Sequence, residues 1–512
     1  MVKCKVCGSE VSSDMKFCAS CGSAIELDAA AAPVEATAVA SAAVKAIPNL
    51  QKLLKPAIAI VAVIVVALIA INLFKPSKYG YSKGAVYLTY DRDNDETIVA
   101  PTWAAATRVE GSYSTLFSSL DGKSAAFTVK VSGESGYTLY YVDGKTKKVS
   151  DEVRSFMISA DGNAVAYTKG DGSSTGTTDL YLYDGGKSTK IANEVIDRAI
   201  SISPNGKTVG YATSKDGNVR GYIRNGKPQE LGKDAIPFAV ANGAKYVYYS
   251  KLSVYYVQRG MNSDKKEKLG EGLSEVLFNK DLSQIIYVSD SDDSARSFIS
   301  VNGQKRISLS RQYRTYVTPA NTARMSYQIS ASSFADTFYR DDSGGVSRIN
   351  RKFETSSVVK NAGYYTLARD GKTLYYTKNN RVYKMNAFNA DADPTVLVDG
   401  DLRTSNALVT SDGGIFYEDY DGLMYKKGAG KAKLITDDYT GRVLLKGKTL
   451  LYVSDYELYR SDGGKSKKVG KFDGDVQSIV SDFHSAIIRV IDDDGDEHEY
   501  FTTDGNKFEL LF

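Results

Sequence analysis

The chain is poor in the residues on which most enzyme centres depend. Its 512 residues include 2 histidines, 1 tryptophan, 10 prolines and 4 cysteines. His484 and His498 are the only imidazoles, which leaves little room for histidine acid–base chemistry. Neither sign of charge prevails. Lys+Arg 65 against Asp+Glu 61 leaves +4, so no broad basic surface for duplex nucleic acid is expected. Only one long apolar run occurs, which excludes a polytopic membrane protein. Walker A and dinucleotide-type glycine loops are missing as well. What is abundant is tyrosine, with 36, and glycine, with 44. Both lean toward many short strands joined by tight turns. With 25% charged and 42% hydrophobic residues the chain is globular in type.

All four cysteines stand at one end, as Cys4-x2-Cys7 and Cys18-x2-Cys21. Four thiolates close a tetrahedral zinc site with no open position, which is the structural arrangement. Each two-residue gap lets one tight turn offer both sulfurs to one metal. Gly8 and Gly22 follow the second cysteine of each pair and let the backbone fold back toward sulfur. Segment 1–26 is too short to bury a core, so bound Zn2+ would supply its folding energy. Two disulfides are the competing reading, and symmetric CxxC pairs favour zinc over it. The motif resembles the short zinc ribbons at the N-termini of many bacterial membrane proteins. Lys3, Lys5 and Lys16 balance Glu10, Asp14 and Glu26, so no phosphate-binding stripe is expected there.

Residues 27–52 are rich in Ala and Val with Pro33 and Pro48, and read as a linker. From Ala57 to Phe74 no charge interrupts the apolar run; 53–75 is long enough to span the ~30 Å of hydrocarbon in a bilayer as one transmembrane helix. It starts too deep in the chain for a cleaved signal peptide. Lys45, Lys52 and Lys55 before it match Lys75, Lys78 and Lys83 after it, so the positive-inside rule gives no orientation. Cysteine use does. Thiolate zinc suits the reducing cytosol, and a long stretch without cysteine suits the oxidising side. The N-terminus is therefore expected in the cytosol and 80–512 outside the cell membrane.

Within 80–512 one pattern recurs near every ~40 residues, the length of a propeller blade. It is a small or polar residue, Asp/Asn-Gly-Lys, then an alternating strand ending in an aromatic. Copies are Asp121-Gly122-Lys123, Ser159-Ala160-Asp161-Gly162, Ser203-Pro204-Asn205-Gly206-Lys207, Asp370-Gly371-Lys372 and Ser411-Asp412-Gly413. Weaker copies lie near Asn242, Asp281, Asn321 and Lys446-Gly447. After each comes an aromatic strand with a second turn, such as Leu180-Tyr181-Leu182-Tyr183-Asp184-Gly185. Asp-Gly and Asn-Gly tolerate the positive φ of two-residue hairpins. These motifs resemble the WD40-like, TolB-type propeller repeats, whose signature is S-P-D-G-K, and 203–207 is the nearest match. The resemblance implies an all-β, β-propeller-like repeat array of about ten units. Ten exceeds the 4–8 blades of an ordinary propeller, so one large ring, two rings in tandem or an open β-solenoid remain. Ala85–Tyr90 reads as a strand able to complete a C-terminal blade.

Candidate chemistry is sparse. Gly172–Gly176 fits G-x-S-x-G but lacks the strand–turn–helix context of a nucleophile elbow. Asp91, Asp93 and Asp95, and the acidic run 492–496, are weak candidates for Ca2+, because the EF-hand glycine and glutamate positions do not match. Most tyrosines are expected to pack within blades rather than form a stacking surface for sugars or peptides. The expected function is non-enzymatic recognition of a protein, peptide or glycan by a membrane-anchored propeller. An envelope-directed enzyme and a transmembrane regulator are the alternatives. No catalytic residue is assigned, and nucleic acid is not an expected partner.

Overall fold

The computed structural model describes Val2–Lys3, Glu10–Val11 and 86–510, except 93, 102–103, 134–135, 171–176, 262–264, 290–295, 304, 310–315, 318–321, 324–327, 331–332, 369, 401, 404–406 and 482–484. The four cysteines, the apolar run 57–74, the Gly172–Gly176 loop, Asn321 and His484 lie outside the described residues. Among those described, no helix is long and apolar enough to cross a membrane. The chain forms two units, Met1–Lys75 and Pro76–Phe512. In the first, Val2–Lys3 pairs antiparallel with Glu10–Val11.

The second unit is built of strands, with one 3-10 turn at Asn242–Ala244 among its described residues. Val86–Asp91, Glu96–Pro101 and Thr107–Glu110 form a three-stranded antiparallel sheet. From Ser112 to Lys233 ten strands pair in chain order. Two of them are long enough to serve neighbouring meanders. The first part of Thr146–Ile158 pairs with Tyr137–Val142 and its last part with Ala164–Lys169. Lys187–Ile202 likewise pairs first with Thr177–Asp184 and then with Val209–Lys215. Each long strand bends at left-handed residues, Glu152 (φ 57°) and Glu194 and Arg198 (φ 53° and 65°). The ten strands thus make three four-stranded meanders. Seven more four-stranded sets follow, over 235–271, 274–308, 316–359, 365–399, 408–436, 441–468 and 475–510; the set 274–308 is extended to six strands by Gln328–Ser330, parallel to Ser274–Phe278, and by Thr322–Ala323 beyond it.

Aromatic pairs fix the register inside these meanders. Where the second and third strands lie side by side, directly opposed rings meet: Phe127 and Tyr140, Tyr167 and Tyr181, Tyr211 and Tyr222, Tyr249 and Tyr256. Tyr287 and Phe298, Tyr376 and Tyr383, Phe416 and Tyr425, and Tyr452 and Tyr459 do the same. Their centroids lie 4.7 to 5.7 Å apart. Such a cross-strand pair contributes about 0.5–1.5 kcal/mol beyond its buried area. A one-residue slip would turn every ring to the opposite face.

Successive sheets pack face to face. Val86 and Val99 share a core with Phe127 and Val142, and Tyr141 shares one with Tyr167 and Tyr183. A larger core runs from Met157 through Ile200 and Tyr248 to Phe278 and Tyr287. The series continues through Ile286 with Tyr339, Phe338 with Tyr376, Tyr375 with Tyr417, Phe416 with Tyr452, and Leu451 with Ile488. The first sheet then meets the last: Tyr87 Oη lies 2.6 Å from Ser485 Oγ, and its ring lies 5.7 Å from that of Phe501. One closed, propeller-like series results, rather than tandem rings or an open solenoid. Val86–Asp91 does not complete the last meander, which has four strands of its own; it belongs to the first sheet and reaches the last through side chains.

The Asp-Gly turns hold this series at one end. In the turn after Thr146–Ile158, Ser159 Oγ donates to Asp161 Oδ1 (2.7 Å) and accepts from the Ala164 amide (3.0 Å). The Gly162 amide donates to Ser159 O (2.9 Å). Ser119 with Asp121 and Ser203 with Asn205 repeat the arrangement. Each turn also bonds to the next: Leu120 N–H to Ala160 O (2.7 Å), Asp161 N–H to Pro204 O (3.0 Å), Asn205 N–H to Asn242 Oδ1 (3.0 Å). In the 408–436 meander, Lys427 and Thr410 bond Asp412 at 2.6 Å each and lower its pKa to about 2. Since 3.8 is the unperturbed value, this stabilisation is present above pH 4 and is lost as pH falls toward 2. The pair is half-exposed, so its share is at most about 1 kcal/mol. Asp412→Asn is expected to lower stability at pH 7 by that share and to change it less at pH 2.5, where the carboxylate is already losing its contribution, as read by denaturant unfolding at the two pH values.

Candidate functional site

Strand alternation gives the array two unlike ends. The Asp-Gly turns and the hairpins between third and fourth strands share one end. The turns between second and third strands, and the links to the next sheet, share the other. From the meander 408–436 to the meander 441–468 this second end carries an Asp-Tyr dipeptide at three successive connections: Asp419-Tyr420, Asp438-Tyr439 and Asp455-Tyr456. Tyr420 is 77% exposed and Tyr456 59%, whereas tyrosines in the sheets are largely buried. Tyr456 (φ 59°) and Asp455 (φ 48°) both occupy the left-handed region. A bulky side chain there costs about 1–2 kcal/mol, and nothing buries the ring in return. The corresponding turns Leu252-Ser253 and Asn379-Asn380 hold the same left-handed pair.

Tyr439 stands between these tips and is fixed. Its hydroxyl donates to Glu418 Oε2 (2.9 Å), and the Arg442 guanidinium lies 5.3 Å from its ring centroid. Burial pushes its hydroxyl pKa up. Arg403 lies 3.6 Å from the other Glu418 oxygen. Around this support the exposed acids Asp421, Asp437, Asp438, Asp455 and Asp473 make no ion pair among the described residues and outnumber the neighbouring Lys471, so this stretch of the end is anionic with aromatic tips. Glu457 is the exception, bonded by Lys468 and the Tyr459 hydroxyl.

The acids singled out from sequence sit at this same end but are held internally. Asp91 accepts from Asn94 Nδ2 (2.9 Å) and Arg108 (2.7 Å), and these bonds lower its pKa. Asp95 accepts from the Tyr90 hydroxyl (2.7 Å). Asp93 is outside the described residues. Asp492 accepts from the amides of Asp494 and Asp496 and lies 2.9 Å from His498 Nε2, which depresses its pKa. Among the described residues no group of three His, Cys, Asp or Glu converges to hold a metal ion. The Asp-Tyr turns were missed by sequence reasoning directed at Asp-Gly; their repetition at three consecutive connections was the available signal.

At the opposite end, a groove of about 340 Å³ lies between the third and fourth sheets of the series, where Lys187, Lys207 and Arg224 surround Leu182, Ile191 and Val209. A smaller cavity of about 210 Å³ is lined by Thr366, Leu408 and Leu444, from the first strands of three adjacent meanders.

No protein-family model and no curated protein matches the chain. Solved structures resemble it at low identity. TolB from Acinetobacter baumannii is 14% identical with a TM-score of 0.29; the match covers 44% of this chain and 62% of that one. The β-propeller domain of the Trilobed protease from Pyrococcus furiosus is 11% identical with a TM-score of 0.30, covering 71% and 98%. The tricorn protease is 12% identical with a TM-score of 0.28, covering 83% and 58%. The sequence-based expectation that the chain is not an enzyme is corrected here, since two of these three structures come from proteases.

Proposed function

We propose that the repeat array recognises a cationic segment of a protein or peptide through its tyrosine-tipped acidic end. The observation that carries this is the run of three Asp-Tyr connections, two of them with rings set in water. Tyrosine supplies large contact area at little entropic cost, and unpaired carboxylates steer a basic partner. On the same proposal, 53–75 is the single transmembrane helix, Cys4, Cys7, Cys18 and Cys21 hold a structural Zn2+ in the cytosol, and the array lies outside the cell. The motif spacing, the uncharged run and the cysteine-free array support that placement. Protease shaving of intact cells carrying tags at both ends tests it. Loss of only the C-terminal tag is expected; survival of that tag until lysis rejects the placement.

Binding is tested with the full chain in nanodiscs against paired peptides that differ only in Lys/Arg versus Glu. The basic member is expected to bind, more weakly as salt rises. The double variant Tyr420→Ala, Tyr456→Ala is expected to lose about tenfold or more in affinity, at 1.4 kcal/mol per decade. Both side chains are exposed, so its melting temperature should be unchanged. Equal binding of acidic and basic peptides would sink the reading.

A further inference from the structure

We propose that the groove between the meanders 153–195 and 195–233 is a binding site for a small oxyanion, a carboxylate or phosphate group carried on a compact body. The groove lies at the Asp-Gly end of the array, away from the Asp-Tyr turns, and the proposal does not depend on the function proposed for them. Its volume, about 340 Å³, is at the lower bound for small-ligand sites. Leu182, Ile191 and Val209 give it an apolar floor, with Val209 fully buried and the other two half-buried.

Charge fixes the class of ligand. Three cations, Lys187, Lys207 and Arg224, line the groove against a single carboxylate, Asp184. None of the four makes an ion pair among the described residues. Elsewhere on this protein exposed lysines close to acids do pair, as Lys147 with Asp143 and Lys190 with Asp179. Arg224 is half-buried, and its Nε donates to Gly226 O (3.1 Å), which orients the guanidinium. Its two remaining nitrogens are suited to the paired oxygens of a carboxylate or phosphate. The lysines come from separate turns, Lys187 from the hairpin after Asp184 and Lys207 from the Asn-Gly turn of the next meander. The site therefore exists only where two sheets meet. The repeat motif supplies Lys207, whereas Arg224 stands where the 365–399 meander, aligned on its opposed tyrosines, has Met385.

The test titrates the full chain in nanodiscs with glucose 6-phosphate, glucuronate and glucose by isothermal calorimetry. Either or both acids are expected to bind and glucose not to; the tighter one identifies phosphate or carboxylate as the preferred group. Arg224→Gln and Lys207→Gln should each weaken binding about tenfold. Asp184→Asn should tighten it, a change of sign that damage to the fold does not produce. Lys123→Gln, at the corresponding position of another Asp-Gly turn, should leave it unchanged. Should Arg224→Gln lower the melting temperature, the exposed Lys207 and Asp184 variants decide. No binding of either acid at about 10 mM, some 2.7 kcal/mol of binding free energy, overturns the proposal, as does an equal loss in Lys123→Gln.

Discussion

Gly162→Ala is expected to lower stability by about 2–5 kcal/mol. Gly162 occupies φ +79°, where a Cβ strains the backbone. Its Cβ would also stand 2.6 Å from Ser124 Cβ and 2.9 Å from Ser119 Cβ in the preceding turn. Those atoms are fixed to backbone that is itself bonded into a turn, so neither can retreat as a flexible side-chain tip would. The carbonyl of the same residue accepts the Tyr141 hydroxyl at 2.6 Å, which ties the turn to the sheet before it. Gly144 separates the two effects. It has φ +102° with nothing within 4 Å of an added Cβ, so Gly144→Ala should show only the backbone strain, about 1–2 kcal/mol. Urea unfolding of both variants makes the comparison. Equal losses would mean that the stacking of turn on turn contributes nothing.

Tyr248→Ala is expected to be at least as damaging, with a loss of about 3–5 kcal/mol. The ring is 1% exposed and meets Phe278 edge-on with centroids 4.7 Å apart. Its hydroxyl donates to Leu282 O at 2.7 Å, the turn of the following sheet. Tyr248→Phe keeps the packing and leaves that carbonyl unpaired, for about 1–3 kcal/mol. Burial also raises the Tyr248 pKa well above 10, and raises those of Tyr141 and Tyr211. Their neutral forms are held in the fold. The stability they contribute is therefore whole below pH 10 and falls above it, as the unfolded chain ionises its tyrosines first. Tyr248→Phe should flatten that alkaline fall; a fall of the same steepness in the variant would assign it to other groups.

Much of this architecture was legible because its punctuation is chemical. Asp-Gly and Asn-Gly mark turns by the φ they permit, and Ser159, Asp161 and Gly162 do in three dimensions what their spacing implies. The strand aromatics were equally visible, although nothing in one strand says which ring it opposes; Tyr167 and Tyr181 meet only through the hairpin register. Two features were not readable. The strand 86–91 looks like any blade strand; its pairing with 96–101 places it in the first sheet, and Tyr87 meets Ser485 and Phe501 across nearly the whole chain. The Asp-Tyr turns carry no glycine at the tip, so a search tuned to Asp-Gly and Asn-Gly passes over them. The proposal that Cys4, Cys7, Cys18 and Cys21 hold Zn2+ rests on their spacing alone.

The junction between the first and last sheets differs from every other in how it would bear load. Elsewhere neighbouring sheets share large cores, chained turns or a continuous strand. Among the described residues no strand crosses the junction, and its contacts include those of Tyr87 with Ser485 and Phe501. Tension applied between residue 86 and residue 510 would fall on that junction first and peel it rather than shear it. The sheets would then part in order from the two ends, like a chain of hooks, with the shared strands Thr146–Ile158 and Lys187–Ile202 holding the three meanders between them as one block. A molecule held at residue 86 and pulled at its far end should therefore lengthen in steps of about one meander, until it reaches the block that yields all at once.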